Sequence, residues 1–281
     1  MIYVSTGGHR KYSFDKTVKL LSEAGIDAFE LSGGVFVKDI EEKLKYISNK
    51  YNIALHNYFP PPEKPFVFNL ASLDDEITDK SIMHAKFAID LASLIGSKYY
   101  SFHAGYLIDP LVSELGNRIT KQVINDRGNA LESFIERANA LAVYAESKGI
   151  KLLVENNVLS RANYDSFDHN PLLMADVDET HEIMNRSHSN LGLLIDVAHL
   201  KVSANTLNFS AIDYLNNFYD LVSAYHFSDN LGFEDSNEKI AEDSWFWPYI
   251  KTDLDYYSLE VYNQPPSALK NQVELIKRKL S

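Results

Sequence analysis

Leu193-Leu194-Ile195-Asp196-Val197-Ala198-His199 is the stretch whose reading decides the fold. Three apolar residues run into an acid, and an imidazole follows three residues later. So short an apolar run reads as a strand buried on both faces, the kind found in a parallel sheet covered by helices. A carboxylate at the end of such a strand must be hydrated, hydrogen-bonded or bound to a cation, because an unpaired buried charge is very costly. Alone, Asp196 reads most simply as the cap of a following helix. The chain repeats the pattern six more times, and that repetition favours a functional reading.

Strand-like and helix-like segments alternate outward from this stretch in both directions. On the N-terminal side, strand patterns cover residues 2–4, 28–31, 53–56, 99–103 and 151–155. Helix patterns between them cover about 14–24, a segment with Ile40, Leu44 and Ile47 at helical spacing, 77–95 and 124–147. Gly25, Gly96 and Gly149 stop three of these helices. Pro60-Pro61-Pro62 marks a loop after the third strand. A polar loop and a short helix near 175–185 precede the Asp196 strand. After it come a helix at 211–219, a strand at 222–226, a long loop at 228–244, a strand at 257–261 and an amphipathic helix at 267–280. Eight strand–helix units imply an α/β chain folded as a (β/α)8 TIM barrel, one domain over residues 1–281, with its site at the C-terminal ends of the strands. The alternative is a doubly wound open sheet, which would show a Gly-rich phosphate turn after the first strand. Gly7-Gly8 is only a fragment of one.

Composition narrows the classes. With 281 residues, 45% of them hydrophobic, there is ample material for a large core. The absence of Cys rules out disulfides, thiolate metal sites and a cysteine nucleophile, and fits a reducing, cytoplasmic location. Neither a signal peptide nor a membrane span is expected. A net charge of −12 opposes a nucleic-acid partner, which needs clustered Lys and Arg.

Seven of the eight strands end in a residue able to bind metal: Glu30, His56, His103, Glu155, Asp196, His226 and Glu260. In a barrel all seven would meet at one mouth. Carboxylates and imidazoles without thiolates suit Mn²⁺, Mg²⁺, Co²⁺ or Zn²⁺ in a catalytic, water-accessible site. Glu155, Asp196, His226 and Glu260 come from the last four strands and could share one ion; helix capping and polar rim contacts are the bland alternative. His199 could orient substrate, bind a second ion or cap. His56 and His103 could hold a second metal, bond a substrate hydroxyl or be satisfied core histidines. Glu30 reads as a structural rim acid paired with a neighbour.

Phe29-Glu30-Leu31, Leu55-His56-Asn57-Tyr58, Phe102-His103-Ala104-Gly105, Val154-Glu155-Asn156, Asp196-Val197-Ala198-His199, His226-Phe227-Ser228-Asp229-Asn230 and Leu259-Glu260-Val261 are short motifs. In this order, over essentially the whole chain, they resemble the xylose-isomerase-like TIM-barrel superfamily. That group includes ketose 3-epimerases, inosose isomerases and dehydratases, and type-IV apurinic endonucleases. The resemblance implies Glu155, Asp196, His226 and Glu260 as a four-ligand metal set. It implies that Glu155 and Glu260 also exchange protons with the sugar, and that His199 contacts substrate. In the endonucleases, residues matching His56 and His103 bind another zinc with the shared Glu155 equivalent. A third zinc there uses the His199 equivalent and an Asp-x-His motif in the loop after strand seven. Here the best match is Asp235-Ser236-Asn237, which lacks the imidazole.

The expected activity is therefore a metal-dependent isomerisation or epimerisation of a sugar or sugar phosphate, by proton transfer beside a metal-chelated carbonyl. Trp245 and Trp247, in the loop after strand seven, are candidate sugar contacts, with simple packing the alternative. Arg10, Lys64 and Arg161 lie in mouth-side loops but form no phosphate motif. An abasic-site endonuclease and a non-catalytic sugar-binding barrel are the rival readings. A homo-oligomer is compatible with such a barrel, though no segment marks an interface.

Overall fold

Residues that alternate between two buried surfaces make the strands of this chain, and the two surfaces differ in kind. In the computed structural model, which describes residues 1–114, 119–120 and 123–281, eight strands run parallel. They are β1 (Ile2–Ser5), β2 (Ala28–Ser32), β3 (Asn52–His56), β4 (Tyr99–His103), β5 (Lys151–Glu155), β6 (Leu191–Asp196), β7 (Val222–Phe227) and β8 (Tyr257–Leu259). They pair in chain order and the barrel closes through β1 and β8, with Tyr3 opposite Ser258. The doubly wound alternative is thereby excluded, since an open sheet leaves two edges.

Around the barrel lie α1 (Phe14–Ser22), α2 (Ile40–Ser48), α3 (Asp75–Leu94), α4 (Arg127–Ser147), α5 (Arg161–Phe167), α6 (Val177–Arg186), α7 (Val197–Leu207), α8 (Ala211–Asn217) and α9 (Pro266–Leu280). Among the described residues, no helix is long and apolar enough to cross a membrane. Caps set several boundaries that periodicity alone misses. Asp74 accepts from Ile77 N and starts α3, and Asp126 accepts from Asn129 N and starts α4 at Arg127 rather than near 124. The polar loop after β5 contains a helix of its own, α5, begun by Ser160.

Side chains at alternate positions face opposite sides of a strand. Phe29, Leu31, Leu55, Phe102, Val154, Leu193, Ile195, Tyr225, Phe227 and Leu259 belong to one core with helix residues such as Leu91, Phe134, Leu141 and Ile276. Each fully buried Leu or Phe of this kind contributes about 1.5–3 kcal/mol. The other face closes on itself: Ala54, Leu153, Leu194, Ala224 and Tyr256 form a separate cluster with Tyr3 and Tyr99. That apolar plug is the floor of the barrel. One step further along the same face, β2, β3, β5, β6 and β7 carry Glu30, His56, Glu155, Asp196 and His226, all buried.

Candidate functional site

Glu155, at the end of β5, is fully buried, and neither carboxylate oxygen has a hydrogen-bond partner among the described residues. Four imidazoles surround it instead. Oε2 lies 3.5 Å from His56 Nε2 and 3.5 Å from His103 Nδ1. Oε1 lies 3.4 Å from His199 Nδ1 and 3.4 Å from His226 Nδ1. The spacing leaves each oxygen facing a pair of ring nitrogens without bonding to either.

Asp196 ends β6 and divides its two oxygens. Oδ1 accepts from Ala198 N at 2.7 Å and His199 N at 2.8 Å, which caps α7. Oδ2 is buried with no partner among the described residues. The capping and site readings of Asp196 thus belong to different atoms. Glu260, one residue past β8, takes Ser5 Oγ at 2.8 Å on Oε1, while Oε2 sits 3.7 Å from His226 Nδ1. Glu155, Asp196, His226 and Glu260 each offer one ligand atom, all within 4.8 Å of one another. A second group of the same tightness is His56, His103 and Glu155, and a third is Glu30, His56 and His226.

The donor set fits a hard or borderline divalent cation: three carboxylates and one imidazole, with Glu155 Oε1 and Oε2, Asp196 Oδ2 and His226 Nδ1 all unmatched in a buried ring. Without a cation the acidities are widely spread. Burial drives Glu260 up to about 8, with Glu30, Glu155 and Asp196 adding to the rise against His226. Burial likewise raises Asp196 to about 6. Burial opposes the charge on Glu155 too, yet His103, His226 and His56 hold it well below the usual carboxylate range. Burial lowers His56, and lowers His103 to about 4. For His199 and His226 burial is outweighed by their acidic neighbours, Asp196 and Asp235 for the first and Glu30, Glu155 and Glu260 for the second, so both stay well above the usual imidazole range. Bringing a divalent charge into such a ring favours every carboxylate over its acid form.

His199, in the first turn of α7, has Nδ1 3.1 Å from Asn156 O and Nε2 3.3 Å from Asp235 Oδ2. Asp235 therefore reaches the site from the loop after β7. Glu30 is not at the rim: it is fully buried and 2.8 Å from His226 Nε2. Strand β2 runs on to Ser32, two residues past Glu30, so Glu30 sits deeper in the barrel than a strand-end residue would. Trp247 packs on Phe227 and Phe246 and donates its indole N–H to Ala241 O. Phe227 faces away from His226, so this stacking puts Trp247 behind the strand and not in the ring. Trp245 meets Phe246 edge-on and keeps a buried indole N–H unmatched among the described residues.

Several further residues that the sequence does not single out as candidates complete the site. Tyr256 and Ser258 both donate to Glu30. Asn156 clasps the backbone of Asp196 with both ends of its amide. Tyr262 lies over Gly7 and Gly8, where a Cβ on Gly7 would stand 2.2 Å from the phenol oxygen. The glycine pair makes room for this ring. A period of two backward from Glu260, through Ser258 to Tyr256, was the available signal for part of this set.

The family model for the xylose isomerase-like TIM barrel matches residues 18–278. The chain belongs to that family. Among solved structures, a D-tagatose 3-epimerase-like protein shares the fold with a TM-score of 0.71 and 21% identity, over 100% of this chain and 99% of its own. A D-psicose 3-epimerase with D-tagatose from Clostridium cellulolyticum gives a TM-score of 0.64 and 13% identity, over 99% and 95%. The IOLI protein with a zinc atom gives 0.64 and 16%, over 99% and 95%. At these identities the likeness is one of fold. No curated protein matches the sequence. Within the xylose isomerase-like barrel, the ring of Glu155, Asp196, His226 and Glu260 stands at the C-terminal ends of the strands, where this architecture builds its sites.

Proposed function

We propose that this chain is a divalent-metal-dependent sugar isomerase or epimerase, with Glu155, Asp196, His226 and Glu260 holding the cation. The convergence of those four ligand atoms within 4.8 Å, most of them unmatched, carries the reading. The fold's likeness to a D-tagatose 3-epimerase-like protein and a D-psicose 3-epimerase supports the substrate class, and the zinc of the IOLI protein supports the cation. A bound divalent cation would polarise a carbonyl and its neighbouring hydroxyl, making the C–H between them acidic.

Glu155 and Glu260 then act as the proton carriers. Two strands, β6 and β7, separate their positions, so the carboxylates flank the ring and address opposite faces of a bound sugar. One carboxylate takes the proton from carbon and the other returns one; solvent exchange resets the pair. His199, held by Asn156 O, orients a substrate oxygen. His56 and His103 contact a second cation or a substrate hydroxyl.

Elemental analysis and turnover in D₂O test the proposal together. The purified chain should carry Mn, Zn, Mg or Co and introduce deuterium at one carbon of a ketose. Glu155→Gln should lose the metal and lower the rate by about 10²–10⁴-fold. A metal-free protein, or unchanged metal content in Glu155→Gln, would falsify it.

One observation favours a second reading. His56, His103 and Glu155 form their own ligand group, which suits a two-cation phosphodiesterase such as an abasic-site endonuclease. Against it stand the net charge of −12 and Asn237 at the position where the loop imidazole would fall. Nicking of an abasic duplex would support that reading. Ligand affinity that survives removal of the ion would instead indicate a non-catalytic sugar-binding barrel.

A further inference from the structure

Glu30 is a carboxylate buried in the barrel, on the face that β2 turns inward, and burying a charge there is expensive. Its surroundings explain how it is tolerated. Oε1 accepts from Ser258 Oγ at 3.0 Å, and Oε2 accepts from the Tyr256 hydroxyl and lies 2.8 Å from His226 Nε2. Tyr256 and Ser258 satisfy the carboxylate as neutral hydroxyl donors, and neither carries a charge that calls for an acid there. A neutral amide or hydroxyl could have filled the place at lower cost, as Ser101 Oγ does beside His56 Nδ1 at 2.9 Å. What only an acceptor without a proton can do is dictate which imidazole nitrogen carries hydrogen.

That dictation matters because His226 is bipolar. Nε2 points down at Glu30; Nδ1 points up, 3.4 Å from Glu155 Oε1 and 3.7 Å from Glu260 Oε2, and has no partner among the described residues. With hydrogen fixed on Nε2, the lone pair of a neutral ring stands on Nδ1, within the group of four ligand atoms. We propose that Glu30 is a positioning residue for the cation: by taking the Nε2–H of His226 it presents Nδ1, and only Nδ1, as the ligand. The inference rests on the metal-centre reading above and deepens it, since carboxylates behind ligating imidazoles both orient the ring and raise its basicity.

Cobalt(II) titration of the chelator-stripped full chain tests this without any assay of turnover. Glu30→Gln keeps the shape and an acceptor oxygen for Ser258, but its amide can turn its NH₂ to Nε2, displacing the hydrogen that Tyr256 now donates there, and move the ring hydrogen to Nδ1. It should bind Co²⁺ about 10–100-fold more weakly, with altered ligand-field absorption. Glu30→Asp, which keeps a carboxylate, should recover part of the loss. Wild-type affinity and spectrum in Glu30→Gln overturn the inference alone; a wild-type chain that binds no Co²⁺ overturns the metal centre with it. Should Glu30→Gln fail to fold, the imidazole ¹⁵N spectrum of the zinc-loaded wild type decides. Hydrogen on Nε2 of His226 is expected, and hydrogen on Nδ1 with zinc on Nε2 overturns the proposal.

Discussion

At the residue scale, Asp196 shows how two readings of one side chain can both be physical. Its Oδ1 receives the first free N–H groups of α7, and its Oδ2 is left to the ring. The two duties separate by substitution. Asp196→Asn keeps an oxygen on the cap and removes only the charge, which burial already disfavours to the extent of raising the group to about 6. Its metal-free form should be at least as stable as the metal-free wild type, yet hold little metal. Asp196→Ala loses the cap as well and should cost about 1 kcal/mol, up to about 2, in urea unfolding. Equal destabilisation by Asn and Ala, with metal content unchanged in both, would mean that the carboxylate serves α7 alone.

At the scale of elements, the barrel's closure brings the first and last units together, and the site depends on that seam. Ser5 at the end of β1 bonds Glu260 just past β8, and Tyr262 two residues later packs on Gly7 and Gly8. Gly7→Ala would drive a methyl into the Tyr262 hydroxyl and should cost about 1–3 kcal/mol, typical of overpacking. Because the nearest clash is with the hydroxyl, Tyr262→Phe should relieve part of that cost. A double-mutant cycle by urea denaturation should therefore be non-additive; strict additivity would show that the ring simply moves aside. This seam was invisible in the sequence, where Gly7-Gly8 reads as a piece of a phosphate turn. Alternating elements were legible because apolar runs, glycine stops and helical spacing are local. The ring was legible because seven strand ends carry acids or imidazoles. Glu30's true place was not, since its partner His226 lies 196 residues away. Which face of each strand looks inward was also hidden, because both faces are apolar below the ring, and Leu193 and Leu194 differ only in the core they join. The helix α5 escaped because seven residues show no apolar period.

At the scale of the molecule, the ring sets the stability of the whole barrel against its occupancy. Glu30, Glu155, Asp196 and Glu260 place four acidic side chains at the buried end of one apolar plug, and His56, His103, His199 and His226 offset them incompletely while burial keeps His56 and His103 neutral. The ligand atoms come from β5, β6, β7 and the residue after β8, so an ion held among them ties half the barrel's circumference together. Unfolding scatters those ligands, and a cation bound only by the folded chain stabilises it by mass action. At free metal one hundred times the Kd this amounts to about 2.7 kcal/mol. In a barrel of this length each kcal/mol raises the melting temperature by about 2–4 °C, so the shift should be about 5–10 °C. Thermal unfolding of the chelator-stripped chain should move upward with added Mn²⁺, Co²⁺ or Zn²⁺, keep rising with concentration, and fall back when chelator is restored. Glu155→Gln and Asp196→Asn should melt at one temperature whether or not metal is present. A wild-type midpoint indifferent to all of these ions would mean that the acids meet for some reason other than a cation, and the proton chemistry assigned to Glu155 and Glu260 would lose its basis.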